Sequence, residues 1–320
     1  MVSQAANKIT TVKSEFPVVG VIGAGKLARM MVAPATALGI KLIPFASSQA
    51  DSAAQITHCV IGDYSDIEAI KKFAELCDVV TFEHELVPLH IIKALEVAGV
   101  RVRPGSHTFE YSREKLPTKD LTDFDYEISV MVARSPHAQA TSWAPTQMIK
   151  SDGVLSVTIS PAPLMSAEMS EQSQKIALDI AAEIRLIGVM AVLMCVKGEN
   201  VFVNNLVLHP HVSGNWSIEG SQTSQFEQHI RAILDLPLGD PTMLDDYVVT
   251  GNIIGKDKTD MYRPYLHLMA RNPSLKFHMY ANEVRPGSEV GHITVVGDDL
   301  ENLQTEIHHA LDYMSGVIEE

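Results

Sequence analysis

The segment "FPVVGVIGAGKLARMMVAPATALGIKLIPFA", Phe16 to Ala46, constrains the fold more than any other. Val18 to Ile22 is an unbroken apolar run, the pattern of a strand buried on both faces in a parallel sheet. Gly23 and Gly25 allow a tight turn. The spacing of the apolar residues then predicts a helix from Lys26 until Gly39 ends it. "KLIPFAS" is the second strand. The pattern continues with "HCVIGDY" as a strand and a helix in "SDIEAIKKFAELC", where Ser65 is the expected cap and Glu68 completes a capping box. "DVVTFEHE" is a further strand, and "PLHIIKALEVAG" a further helix with Pro88 at its start. Residues 17 to about 105 therefore read as an open, mostly parallel α/β sheet of the doubly wound type.

The rest of the chain has a different period. Residues 106–126 are polar and contain Pro117, as an irregular junction would. "EISVMVARS", "ATSWAPTQMIKSDGVLSVTISPAP" and "NVFVNNLVL" alternate or are β-branched, as strands are. A long helix, "SAEMSEQSQKIALDIAAEIRLIG", is expected to put Ile176, Ile180, Ala181 and Ile184 on one face. This part is α+β and mostly antiparallel. Short strands ("YVVTGNIIG", "KFHMYANEV", "GHITVVG") and a helix from Asp299 to Met314 close the sequence. The expected division is a flexible leader (1–16), an α/β domain (17–114), an α+β core (115–245) and a small β-rich C-terminal domain (246–320).

Charge excludes some partners. With a net charge of −14, the surface repels phosphate backbones and anionic lipids, so neither nucleic acid nor membrane is expected as a partner. The longest apolar run, Ile187 to Val196, is far short of the ~20 residues of a membrane span. The N-terminus has no apolar signal core, and a cytoplasmic location is expected. Cys59, Cys77 and Cys195 read as reduced thiols without metal-ligand spacing.

Candidate sites are few. "GAGKLA" carries Ala28 at the third glycine position, and "FASSQAD" offers no acid to a ribose, so a dinucleotide is not expected. Lys26 reads first as a solvated lysine. Alternatively, Gly23, Gly25 and Lys26 meet an anion at the helix start, where free N–H groups point. Glu83 and Glu85 end a strand at the carboxyl edge of the sheet. A structural role is preferred for them over an acid–base pair. His209 and His211 lack an evident third ligand, so no metal is expected there. Trp143 and Trp216 read as packing anchors.

Several motifs recur in order along the chain: "GAGKLARMM", "DSAAQ", "GDYSD", "CDVVTFEHE", "VRPG", "SQFEQHIRAILDLPLGD" and "EVRPGSEVGHITVVGDD". Together they resemble carboxyaminoimidazole ribonucleotide synthetase, a family of the ATP-grasp fold, from Val18 to the end of the chain. The resemblance implies an N-terminal α/β domain, a central two-lobed ATP-grasp and a β-rich C-terminal domain. It also implies a reaction in which ATP, magnesium and bicarbonate carboxylate aminoimidazole ribonucleotide.

The chain departs from the family pattern at each functional part. The family places a whole lid lobe between "REK" and the strand matching "FDYEISVMVAR", whereas here Lys115 is followed within nine residues by Phe124. Leu193 and Asn205 stand where the family has metal-binding glutamates, and magnesium wants anionic oxygens. In the loop "VNNLVLHPHVSGNW", His209, Val212 and Asn215 replace an arginine, an asparagine and a histidine. His211, Ser213, Gly214 and Trp216 persist in that loop. In the phosphate motif Asn282, Ser288 and Glu289 replace cations, while Arg285 and His292 remain.

These departures lead to the expectation of a catalytically inactive homologue. It would need no cofactor, form a homodimer, and bind a protein partner in a scaffolding or regulatory role. The alternatives are an active short synthetase using ATP and magnesium, completed by another chain, and a small-ligand binding protein using the α/β domain alone.

Overall fold

The computed structural model describes residues 16–114, 123–257 and 260–318. The expected leader up to residue 15, and residues 115–122, where the lid is missing, lie outside the described residues.

Four strands, β1 (Val18–Ile22), β2 (Lys41–Ala46), β3 (Val60–Ile61) and β4 (Val79–Phe82), form a parallel sheet in the order β3-β2-β1-β4. Helices α1 (Lys26–Ala37), α2 (Ile67–Ala74), α3 (Leu89–Val97) and α4 (Ser106–Glu114) accompany them. Gly39 ends α1 with a φ of +71°, a conformation that favours glycine. Two expectations need correction. The cap of α2 is Asp66, whose carboxylate accepts the Glu68 and Ala69 N–H groups, while Ser65 bonds to Asp63. A carboxylate is the stronger acceptor at a helix start, and its charge suits the dipole. The junction at residue 106 is in fact helix α4. Ser106 donates through both its N–H and its Oγ to Glu96, and Phe109 meets Phe82 edge-on at 5.4 Å. Tertiary contacts override a polar local sequence there.

The second sheet is antiparallel. Its strands are β5 (Tyr126–Arg134), β6 (Ala140–Ser142), β7 (Thr146–Ser151), β8 (Val154–Ser160), β9 (Gly188–Lys197), β10 (Asn200–Val207), β11 (Tyr247–Ile254), β12 (Lys276–Met279) and β13 (Glu289–Gly297). Their order is β10-β9-β5-β7-β8-β11-β13-β12, with β6 on β5. The β8–β11 pairing joins strands from both of the expected later domains into one sheet.

Of the face expected for helix α5 (Ala167–Glu183), Ala181 and the capping Ile184 are fully buried, whereas Ile176 and Ile180 are only partly buried and Met169, Ser173 and Ala177 complete the buried face. Small side chains let the helix approach, and Ile176 and Ile180 flank the contact. The long α9 and the short α8 were unequally legible: α9 (Leu300–Ser315) starts on Asp299 as expected, whereas α8 (Pro264–Arg271), not read from the sequence, buries little beyond Pro264 and Leu268. Among the described residues no helix is long and apolar enough to cross a membrane.

Between the sheets lie α6 (Ser217–Gly220) and α7 (Gln225–Ile233). Phe226, Ile230 and Ile233 of α7 pack into the cluster built by α1 and β1. On the same helix His229 is fully buried. Its Nε2 meets Thr81 Oγ1 at 2.8 Å, and its Nδ1 accepts the Val189 N–H at 3.1 Å. The amide donor fixes Nδ1 as the acceptor, so Nε2 carries the proton and the ring is neutral. Burial holds its pKa down to about 3. The unfolded chain takes up a proton near pH 6.5 that the folded chain refuses. Stability is therefore complete above about pH 6.5 and falls as pH drops towards 3, by up to ~1.4 kcal/mol per pH unit for each such histidine. We expect the melting temperature to fall between pH 7.5 and pH 5, and His229→Gln to flatten part of that slope. An unchanged slope in the variant would contradict this assignment.

Candidate functional site

Glu83 follows β4 and reaches the start of α1. Its two oxygens accept the Gly25 N–H at 2.5 Å and the Ala28 N–H at 2.8 Å. A Cβ on Gly25 would lie 2.4 Å from Glu83 Oε1, and one on Gly23, whose φ is +109°, would meet the same side chain. The glycines thus make room for a carboxylate of the chain itself. This corrects the anion-site expectation: the helix N–H groups already hold Glu83. Burial pushes the Glu83 carboxyl up, and the Ala28 and Gly25 N–H groups and Lys26 oppose that.

Lys26 is not a solvated lysine. Its side chain is 27% exposed and pairs with Glu289 from β13, which is 21% exposed. The ammonium also stands 6.0 Å from the centroid of the Tyr280 ring. Burial lowers the Lys26 pKa, and Glu83 acts in the opposite direction. Around this pair opens a cleft of about 510 Å³, whose walls include Gly25, Glu83, His84, Asn282 and Ser288. The structure therefore brings together Gly25, Lys26, Asn282, Ser288 and Glu289 from opposite ends of the sequence. Arg285 stands apart, exposed and paired with Glu283.

Beside this cleft, and not among its lining residues, lies the histidine loop. Gln225 clamps it: Oε1 accepts the His211 N–H at 2.9 Å, and Nε2 donates to the His211 carbonyl at 2.7 Å. A Cβ on Gly214 would lie 2.8 Å from Gln225. His211 Nδ1 meets Ser213 Oγ, which in turn donates to Ser129 Oγ at 2.8 Å on β5. Burial brings the His211 pKa down to about 3, and His209 and Lys26 add to this. His209 Nδ1 bonds the carbonyl of Pro210 at 2.7 Å. Among the described residues no group of three ligands could hold a metal. Glu85 accepts the Leu208 N–H, which ties the loop to the end of β4 and gives the residue a structural role.

Asn215 is fully buried and donates to Tyr280 OH at 3.1 Å; Tyr280 OH meets His292 Nδ1 at 2.7 Å. His278 stacks on His292 at 4.6 Å and bonds Glu219 at 2.7 Å. Burial keeps His292 neutral by holding its pKa well below 6.5. Tyr280, His278, Glu219 and Gln225 were not singled out from the sequence. The one usable signal was Gln225, a polar residue placed directly after the Ser224 cap. Trp143 and Trp216 are buried on the same sheet face, as packing anchors.

Leu193 and Asn205 face each other across β9 and β10, with Ser129 next along the same rung. Leu193 packs in the Trp143 and Trp216 cluster, and Asn205 Oδ1 is taken by the Leu206 N–H. Neither residue fits a magnesium ion. Val212 does not join them: it packs against α1 and α7. The two apolar replacements, Leu193 and Val212, thus sit in different clusters.

A parallel sheet whose strand ends face a large antiparallel sheet, with a cleft between α1 and β13, defines an ATP-grasp ribonucleotide synthetase architecture. Three domain families match in that order. A ribonucleotide synthetase preATP-grasp domain covers residues 16–113, an ATP-grasp domain 107–226, and a phosphoribosylaminoimidazole carboxylase C-terminal domain 249–306. The N5-carboxyaminoimidazole ribonucleotide synthase of Mycobacterium bovis is 30% identical, over 98% of this chain and 92% of its own length. That of Bacillus subtilis is 26% identical over 87% and 90%. The crystal structure of the Thermus thermophilus synthetase superposes with a TM-score of 0.85 at 25% identity, over 94% of this chain and 99% of its own. The chain belongs to the N5-carboxyaminoimidazole ribonucleotide synthase family.

These relatives overturn the expectation of an inactive homologue. They match along nearly the whole chain and are named as synthases and a synthetase, in line with the short-synthetase alternative. The scaffolding or regulatory role inferred from inactivity is withdrawn with it. The alignment with the Mycobacterium bovis protein is 394 positions long against 320 residues here, so at least 74 positions have no counterpart in this chain.

If Leu193 and Asn205 occupy a former carboxylate pair, the variant Leu193→Glu with Asn205→Glu restores two adjacent carboxylates on one rung. We expect it to melt lower than the wild type without metal and to gain thermal stability with added magnesium. The wild type, tested in parallel, should show no such gain.

Proposed function

We propose that this chain is a short carboxyaminoimidazole ribonucleotide synthetase that acts in ATP-dependent carboxylation of aminoimidazole ribonucleotide. The observation that carries this reading is the match to relatives of that name over 98% of the chain. The cleft supports it: it opens at the carboxyl ends of β1 and β4, where ligands bind in open α/β folds. Glu83, in its wall, is fixed by two backbone N–H groups.

Phosphoryl transfer depends on positioning and charge neutralisation. The side that neutralises ATP is not supplied by Leu193 and Asn205, and no step is assigned to a metal held there. The reading therefore has the ATP side completed by another chain. We further propose a homodimer acting in the cytoplasm, with neither nucleic acid nor membrane as a partner.

Two measurements test these statements. Pure protein given ATP, magnesium and bicarbonate should release phosphate only when aminoimidazole ribonucleotide is added. No ribonucleotide-dependent release from folded protein would sink the proposal. Light scattering at micromolar concentration should return twice the 35.0 kDa chain mass, and a monomer mass would remove the dimer.

A further inference from the structure

Away from the cleft, two histidines on neighbouring helices meet ring edge to ring edge. His267 of α8 and His309 of α9 place their Nε2 atoms 3.3 Å apart. That is long for a hydrogen bond. It is the separation of two ligands on one ion: nitrogens ~2.05 Å from a tetrahedral zinc stand ~3.3 Å from each other. Tyr313, one turn along α9 from His309, stacks on His267 with 4.3 Å between ring centroids and 14° between planes, which fixes the tilt of that ring.

A carboxylate stands nearby on α9. Glu306 precedes His309 by three residues, the spacing that sets two helical side chains side by side. A Glu-x-x-His pair of this kind holds metal between the helices of carboxylate-bridged bundles. The Glu306 side chain is 16% exposed, yet its contacts are long: Arg271 at 3.7 Å and Asn272 Nδ2 at 3.4 Å. Among the described residues no three such groups meet on one point as they stand, so Glu306 has to turn from Arg271 and Asn272 to join the histidines. The two helices are unequally anchored. Leu303, Ile307, Ala310 and Met314 bury α9, whereas α8 buries Pro264 and Leu268.

We propose that His267 and His309, with Glu306 as third ligand and water completing the shell, form a site for a divalent transition-metal ion of the zinc class, which pins α8 to α9. Imidazole nitrogen suits such ions, whereas magnesium takes oxygen ligands. An ion that binds only the paired arrangement stabilises it by mass action. The gain falls mainly on α8, which has the less packing of its own. The site is separate from the cleft and independent of the synthetase reading.

The test uses the full chain and zinc chloride. Isothermal titration of the wild type should show saturable binding of one ion per chain. His267→Gln and His309→Gln, each checked for an unchanged far-ultraviolet spectrum, should both lose it. Glutamine keeps a hydrogen-bonding edge, so a pair that serves only as a hydrogen bond would not show this loss of metal. Glu306→Gln should bind zinc about tenfold more weakly. Hydrogen exchange gives the second readout. Zinc should slow exchange in residues 264–271 of the wild type, leave α7 unchanged, and have no effect on α8 in either histidine variant. Magnesium chloride should not slow α8 exchange. The proposal fails if the wild type takes up no zinc, or if zinc binds without slowing exchange in α8. It fails equally if binding survives both histidine substitutions, since another of the thirteen histidines would then hold the ion. Unchanged affinity in Glu306→Gln would remove the carboxylate from the site.

Discussion

The contact of His229 with Thr81 on one sheet and Val189 on the other fixes how the two sheets meet. A fully buried imidazole bonded at both nitrogens tolerates little displacement, because either lost bond leaves a polar group dry. Helix α7 carries this histidine, and its apolar face lies against α1. Arg103 adds a bond to the Ile233 carbonyl at the end of the same helix. The start of α1, which carries Gly25 and Lys26 of the cleft, is thereby held against α7. Gln225, at the first turn of α7, clamps the histidine loop. One helix therefore holds both the start of α1 and the histidine loop.

Within that frame the charges are arranged as closed pairs. Glu83 belongs to the α1 N–H groups, and Glu289 belongs to Lys26. Two charged positions 263 residues apart in sequence are one contact in space. Read separately, Lys26 looks like a surface cation and Glu289 like an anion set against a phosphate. Read together, each accounts for the other, since either alone would leave a partly buried charge without a partner.

The α/β half was legible because its signals are local: the apolar run of β1, the glycine turn and the end of α1 at Gly39 all lie within one short window. Helix α4 was not, because its stability comes from Glu96 and Phe82, which no local pattern reveals. The buried face of α5 was read only in part: Ala181 and Ile184 are buried as expected. Periodicity weights large apolar residues, whereas the sheet also accepted Ser173 and Ala177 for their small size. At the site, the positions that replaced charged groups could be read from the motifs. Their new partners could not: the Lys26–Glu289 pair spans 263 residues, and Tyr280 and Gln225 act through geometry alone.

The persistence of the histidine loop follows from how it is held. Its shape depends on Gln225 bonding the His211 backbone, on Ser213 bonding Ser129, and on Asn215 bonding Tyr280. None of these bonds uses the side chains of Leu193, Asn205 or Val212. Leu193 contributes packing beside Trp216, and Val212 packs towards α1. Exchanging the family's two glutamates and its asparagine at those three positions removes no bond that maintains the loop, whereas a Cβ at Gly214 would strike the clamp itself. Frame and ligand chemistry are thus carried by separate residues. The frame can keep the family's form while the groups facing the cleft change.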